Sequence, residues 1–332
     1  MRNSLIILIA LVLSVLAGCE GAAKKKEPSG GRRELLSVDF TEGQTLRYKF
    51  VSYRSIDIIT KDPSGRGKEN IDKNYETAEM VFSYTPLEID PYGPTTVKAT
   101  CESVITKRNS TRPVPEALRT LSGKSFTFTV SPAGKIEDYS QLKRLIRETG
   151  EKAFRPRSER GRIKWPDMIG DFIATQWFLW DSVSSVPKPA EGVSLWQSWK
   201  SKLSVPTPMI MQQARDVTYR LEDIRREDKG LIAVINSTFT AAETTPRSWP
   251  MPYPDGTFQM SGKFGFYRNY RVLGLKGSGE ELYNIDAGRT EKYKHEYEMR
   301  LKASAPFGIS LDLQMIVKQK LLMHLLQEQG TE

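Results

Sequence analysis

The chain has 332 residues, enough for a sizeable core and commonly for two domains, and a formal net charge of +9 from 49 basic and 40 acidic side chains. Its two histidines exclude a three-histidine zinc site, and it contains neither HExxH nor CxxC. The basic excess is spread along the chain with no aromatic–basic recognition motif, which argues against a nucleic-acid partner.

The chain opens on Met1-Arg2-Asn3, a short basic stretch, and continues into an almost wholly apolar run from Leu5 to Leu16. That run falls short of the roughly 20 helical residues needed to span a bilayer core, and it matches the apolar region of a secretory signal. Leu16-Ala17-Gly18-Cys19 then sets small residues before a cysteine. This resembles the lipobox of bacterial lipoproteins. The resemblance implies that residues 1–18 are removed, that Cys19 carries diacylglycerol on its sulfur, and that its new amino group is acylated, for example with palmitate. The alternative is an ordinary signal peptide with an incidental cysteine. Two or more acyl chains hold a protein stably where one does so only marginally. Glu20 follows the cysteine where inner-membrane members of that class often carry Asp, so the resemblance points to the outer membrane. Residues 19–34, rich in Gly, Ser, Lys and Pro, read as a lipidated flexible tether with a reach of roughly 20 Å. Lys24-Lys25-Lys26 adds attraction to anionic lipid.

From residue 35 to 139 the pattern is that of strands. GQTLRYKF puts Leu46, Tyr48 and Phe50 on one face, and SFTFTV puts Phe126, Phe128 and Val130 on one face with Ser125, Thr127 and Thr129 opposite. Cys101, in the alternating stretch VKATCESVI, reads as a small core residue. With Cys19 lipidated it has no disulfide partner. A strand, a Gly turn and a strand follow at Ala133-Gly134-Lys135-Ile136-Glu137-Asp138-Tyr139, and Ala287-Gly288-Arg289-Thr290-Glu291-Lys292-Tyr293 repeats it. Earlier segments recur in the same order. Ala78–Tyr84 parallels Ala214–Tyr219, Val97–Thr106 parallels Leu231–Thr240, and the strand led by Gly43 parallels the one led by Gly192. The pattern reads as an internal duplication.

Residues 140–185 change period. YSQLKRLIRETGEKAF spaces Leu142, Leu145 and Ile146 as a helix does. WPDMIGDFIATQWFLWDS places Pro166 at a helix start and Asp167 in its first turn. Ile169, Phe172, Ile173, Trp177 and Trp180 then follow at i, i+3 and i+4, as candidates for a plug or the wall of a ligand cavity. The same stripe is also what a simple core helix shows. Residues 186–332 return to strands, and Leu313, Met315 and Val317 alternate near the end. That strand continues into KQKLLMHLL or gives way to a helix there.

The expected fold class is α+β, mainly β: two related antiparallel curved sheets, half-barrel-like, with a helical insertion between them. The ordering of a lipobox, Gly-led strands, a Trp-rich helix and a Gly-rich hairpin resembles envelope lipoproteins of planctomycete-type bacteria that have no assigned activity. It also resembles half-barrel carriers and sensors that hold acyl chains. His295, in KYKHEYEM, reads as exposed, and His324, in an apolar stretch, as core. GxSxG is absent, so a Ser-His-Asp triad is not expected. Asp167 and Asp171 lie four apart on one helix, as solvated charges do, so a two-carboxylate sugar-cleaving site is not expected either. The expectation is a non-enzymatic, lipid-anchored extracytoplasmic protein without catalytic residues, metal or cofactor. Its partners are the membrane, through Cys19, and an apolar ligand such as a lipid or another envelope protein. The alternatives are a structural lipoprotein with a solid core and no ligand, and a hydrolase.

Overall fold

A computed structural model describes residues 33–60, 69–91, 93–109, 121–134, 136–138, 140–141, 144–145, 162–163, 191–204, 214–244, 259–260, 268–304 and 312–326. The strands are β1 (Leu46–Thr60), β2 (Asn70–Ile89), β3 (Thr95–Arg108), β4 (Ser125–Val130), β5 (Ile136–Asp138), β6 (Arg162–Ile163), β7 (Ser198–Ser204), β8 (Ala214–Glu227), β9 (Gly230–Ala241), β10 (Gln259–Met260), β11 (Arg268–Asn284), β12 (Arg289–Ser304) and β13 (Asp312–Leu325). Eleven of them form one sheet, ordered β5-β4-β3-β2-β1-β13-β12-β11-β9-β8-β7, and every neighbouring pair is antiparallel. β6 and β10 make a separate short parallel pair.

The protein is therefore mainly β, but its halves share one continuous sheet instead of forming two. The reason is β13, which pairs with β1 from Tyr48↔Leu325 to Thr60↔Leu313 and with β12 from Lys292↔His324 to Ser304↔Asp312. Either half alone would present a long unpaired edge there, a row of open amides and carbonyls that proteins avoid. β13 runs through the KQKLLMHL stretch as a strand, which settles the choice left open for that segment.

The halves repeat each other strand for strand. β5-β4-β3-β2-β1 has its counterpart in β12-β11-β9-β8-β7, in the same spatial order. A bulge between Pro86 and Glu88 of β2 recurs between Leu221 and Asp223 of β8. One between Thr129 and Val130 of β4 recurs between Leu282 and Tyr283 of β11. The two AGx hairpins take equivalent places in the sheet, each with its glycine in the left-handed region, Gly134 at φ 76° and Gly288 at 60°. The β1–β7 match is shifted from the expected one. The turn Thr41–Gln44, closed by Gln44 N–H to Thr41 O, corresponds to Ser194–Gln197, closed by Gln197 N–H to Ser194 O. So Gly43 (φ 77°) matches Trp196 (φ 69°), and Gly192 lies earlier. A tryptophan in a left-handed conformation hid this from the sequence, where a glycine was the natural marker.

One face of the sheet is buried across its width, with the alternation that period-2 patterning predicts. β1 contributes Leu46, Phe50 and Ile56, β2 Met80 and Phe82, β4 Phe126 and Phe128, β12 Met299 and Leu301, and β13 Leu313, Met315 and Val317. The other face carries cross-strand ion pairs such as Arg47–Glu102 and Lys49–Glu79.

The sheet is strongly curled at the hairpin end. In a flat sheet β4 and β11 would lie about 29 Å apart, six steps of ~4.8 Å. Yet Phe128 of β4 and Tyr283 of β11 line the same small cavity. Residues 33–40 cross this end as an extended strap. Glu34 pairs with Val193, in the segment leading into edge strand β7, and Val38 N–H donates to Pro132 O, beyond β4. Four extended residues span at most about 14 Å, so the strap holds the sheet's two margins close together.

Residues 140–141 and 144–145 have helical backbone, and Leu145 is buried. A helical insertion as such is not shown. The Trp-rich segment, with Ile169, Phe172, Ile173, Trp177 and Trp180, lies outside the described residues, as does Cys19. No helix among the described residues is long and apolar enough to cross a membrane.

Candidate functional site: a strapped apolar cavity above a polar belt

The strap forms one wall of a cavity of about 40 Å³ at the curled end. Val38, Asp39 and Phe40 face Leu46, Tyr48, Phe50, Tyr84, Phe128 and Met323 across it, with the Tyr283 and Gly288–Thr290 region closing the far side. The strap is fastened to the second hairpin by Asp39 N–H to Gly288 O (2.9 Å) and by the Tyr283 hydroxyl to Ser37 O (2.6 Å). Leu36, within the strap, is fully buried. Inside, aromatic rings meet edge to face: Tyr48 with Tyr84 at 5.8 Å and Tyr84 with Phe128 at 6.3 Å.

Two tyrosines in this cluster have different fates. Tyr48 donates to Thr290 O at 2.9 Å. The Tyr84 hydroxyl is buried and has no hydrogen-bond partner among the described residues. Burial, then the neighbouring Tyr48 and Cys101, pushes its pKa well above the usual phenol range, so it is a neutral donor. A buried hydroxyl without a partner costs about 1–3 kcal/mol, which a carbonyl or water in the cavity would recover.

Further along the strands the inner face turns polar in a transverse belt. Arg54 of β1 pairs with Glu76 of β2, and both side chains are largely buried. The Tyr297 hydroxyl donates to Gln319 Oε1 (2.5 Å), and Gln319 Nε2 donates to the Ser52 hydroxyl (3.0 Å). On the second half, the Tyr293 hydroxyl and His295 Nδ1 lie 3.0 Å apart, and the His295 ring is 4.5 Å from Phe239. The Arg215 guanidinium sits 4.9 Å over the same phenyl ring. Gly277 leaves the space Phe239 occupies: a Cβ there would lie 2.0 Å from the ring. Thr290 donates to Glu281 Oε1 at 2.5 Å.

The two histidines exchange their expected places. His295 is buried, because it shares parity with Tyr293, Tyr297 and Met299. Burial, then Arg215, holds its pKa well below the imidazole range, so it is neutral. His324 has the opposite parity to Leu321 and Met323 and is only half-buried, on the outer face. Cys101 is buried and free, and burial raises its thiol to about 12. Asp167 and Asp171 lie outside the described residues. Among the described residues no three or more His, Cys, Asp or Glu side chains are grouped to hold a metal. The belt can satisfy internal hydrogen bonds, and the cavity can receive a small apolar group beside Tyr84.

This geometry defines an open, curled, antiparallel sheet protein with a strapped end. No protein-family model matches the chain, and no curated protein matches it. Among solved structures it is similar to lipovitellin, described for its lipid–protein interactions, with a TM-score of 0.47 and 10% identity, over 89% of this chain and 26% of that one. The chain thus spans about a quarter of lipovitellin's length.

Proposed function

We propose that this chain is a lipid-anchored, extracytoplasmic, non-catalytic binding protein of the cell envelope, outer membrane by preference. Its curled sheet receives the apolar part of an amphipathic molecule at the strapped end. The observation that carries the reading is the Tyr84 hydroxyl, buried and without a partner among the described residues, on a side chain that lines a mostly apolar cavity. A ligand carbonyl is the group it lacks. The anchor rests on the Leu16–Cys19 lipobox resemblance, and the strap follows directly on the proposed tether. At about 40 Å³ the closed cavity holds little more than one water, so an acyl chain enters only as the strap lifts.

That small volume favours a second reading, a structural envelope lipoprotein with no ligand. Native mass spectrometry of the purified full-length protein, beside Tyr84→Phe, separates them. The binding reading expects a co-purifying lipid that Tyr84→Phe releases. The structural reading expects no adduct and a Tyr84→Phe protein that is only more stable.

A further inference from the structure

The outer face holds a second feature that none of the above uses. An open groove of about 740 Å³ crosses β2, β1, β13, β12 and β11. The inward-pointing Arg54, Gln319 and Tyr297 of its rows are buried, so its solvent side is built by the outward residues. Register places these in two transverse rows. One runs Thr77, Tyr53, Lys320, Glu296, Ser278, and the other Tyr75, Ser55, Lys318, Glu298, Lys276. We propose that this groove is a binding site for an acidic polysaccharide.

Three observations carry it. Tyr53 and Tyr75 are 47% and 52% exposed, and their hydroxyls make no hydrogen bond among the described residues. They stand at diagonal positions on adjacent strands, about 7 Å apart, and offer two neighbouring flat rings with polar tips. That pairing suits the C–H face and hydroxyl rim of successive sugar rings. Next, the four strand spacings from Tyr75 to Lys276 give a run of about 19 Å, long enough for a short oligosaccharide and too open to enclose a single small molecule. Finally, the outward charges alternate in kind. Lys318 and Lys320 approach Glu298 and Glu296 at 3.9 and 3.5 Å, and Lys276 makes no ion pair among the described residues. Carboxylates accept from sugar hydroxyls, ammonium groups donate to them, and the surplus lysine selects a glycan that carries acid groups. A bare anionic bilayer is a poorer fit, since it offers no hydroxyl-rimmed ring to the tyrosine pair or to the Glu296 and Glu298 carboxylates.

The test is isothermal titration of full-length protein, in a sugar-free non-ionic detergent, with oligogalacturonate. A neutral gluco-oligosaccharide of equal length and sugar-free anionic vesicles serve as competitors. The groove reading expects oligogalacturonate to bind, to weaken as salt rises, and to lose about tenfold in affinity in Tyr53→Ala/Tyr75→Ala and again in Lys276→Glu, each tenfold being ~1.4 kcal/mol. These side chains are exposed, so unchanged melting temperatures are expected and certify the variants. No binding, equal binding of the neutral chain, displacement by the vesicles, or full affinity in both variants overturns it.

Discussion

Gly288 is where the strap can be tested most sharply. Its φ is 60°, and an added Cβ would lie 2.5 Å from Asp39 Cβ, 2.7 Å from Asp39 N and 2.9 Å from Ser37 O. Two of those three atoms are backbone, so no rotamer change relieves the contact. Gly288→Ala therefore costs about 1–2 kcal/mol for the left-handed backbone. If the strap detaches, it also loses the Asp39 hydrogen bond, about 0.5–1.5 kcal/mol. Re-exposing Leu36 adds about 1.5–3 kcal/mol. The expected loss is about 3–6.5 kcal/mol if all three contributions are lost. Gly43→Ala is the control: its φ is 77°, but nothing lies within 4 Å of the added methyl. It should cost only the backbone term, about 1–2 kcal/mol. Urea unfolding gives both numbers, and amide exchange at Val38 and Asp39 reports the strap directly. Equal destabilisation by the two variants, with Val38 and Asp39 still protected, would refute the claim that the strap rests on Gly288.

Three further outcomes are expected. His295 is kept neutral in the folded protein, so the unfolded chain binds the extra proton below its ordinary pKa of about 6.5. Stability should then fall as pH drops through that value, by up to ~1.4 kcal/mol per pH unit for this one group. His295→Phe should flatten that slope in denaturant melts between about pH 6.5 and 5. Trp196→Gly should be more stable than Trp196→Ala by about 1 kcal/mol in thermal melts, because both lose the Arg220 stacking at 5.2 Å but only glycine accepts φ 69° freely. The Cys101 thiol should resist alkylation at pH 8 in native protein and react at once in denaturant, since burial raises its pKa to about 12.

Local pattern carried much of the fold. The inward sets Leu46/Tyr48/Phe50, Phe126/Phe128/Val130 and Leu313/Met315/Val317 follow from alternation alone, because a strand's two faces see different solvents. The AGx hairpins were legible because a left-handed turn demands Gly134 and Gly288. What escaped was long-range. Nothing in ISLDLQMIV says that it will lie between β1 and β12, since pairing partners are chosen by the whole sheet and not by the strand. The histidines depart from expectation because parity outweighs composition: KYKHEYEM is highly charged, yet every second residue faces inward. In the sequence Tyr84 stands out only as one end of a repeated segment. Its unpaired hydroxyl is a property of the cavity around it, and the strap that closes that cavity comes from residues with no regular pattern.

The central position of β13 bears on how such a chain is made. The strand that joins the two halves follows every other described strand in the chain, and Leu313 must find Thr60 from 253 positions away. Until it does, the β1 and β12 edges stand open, and each can template mispairing with another copy. Slow maturation, and dependence on a holding chaperone while those edges stand open, are the natural costs of closing a zip from its middle with a strand made after its partners.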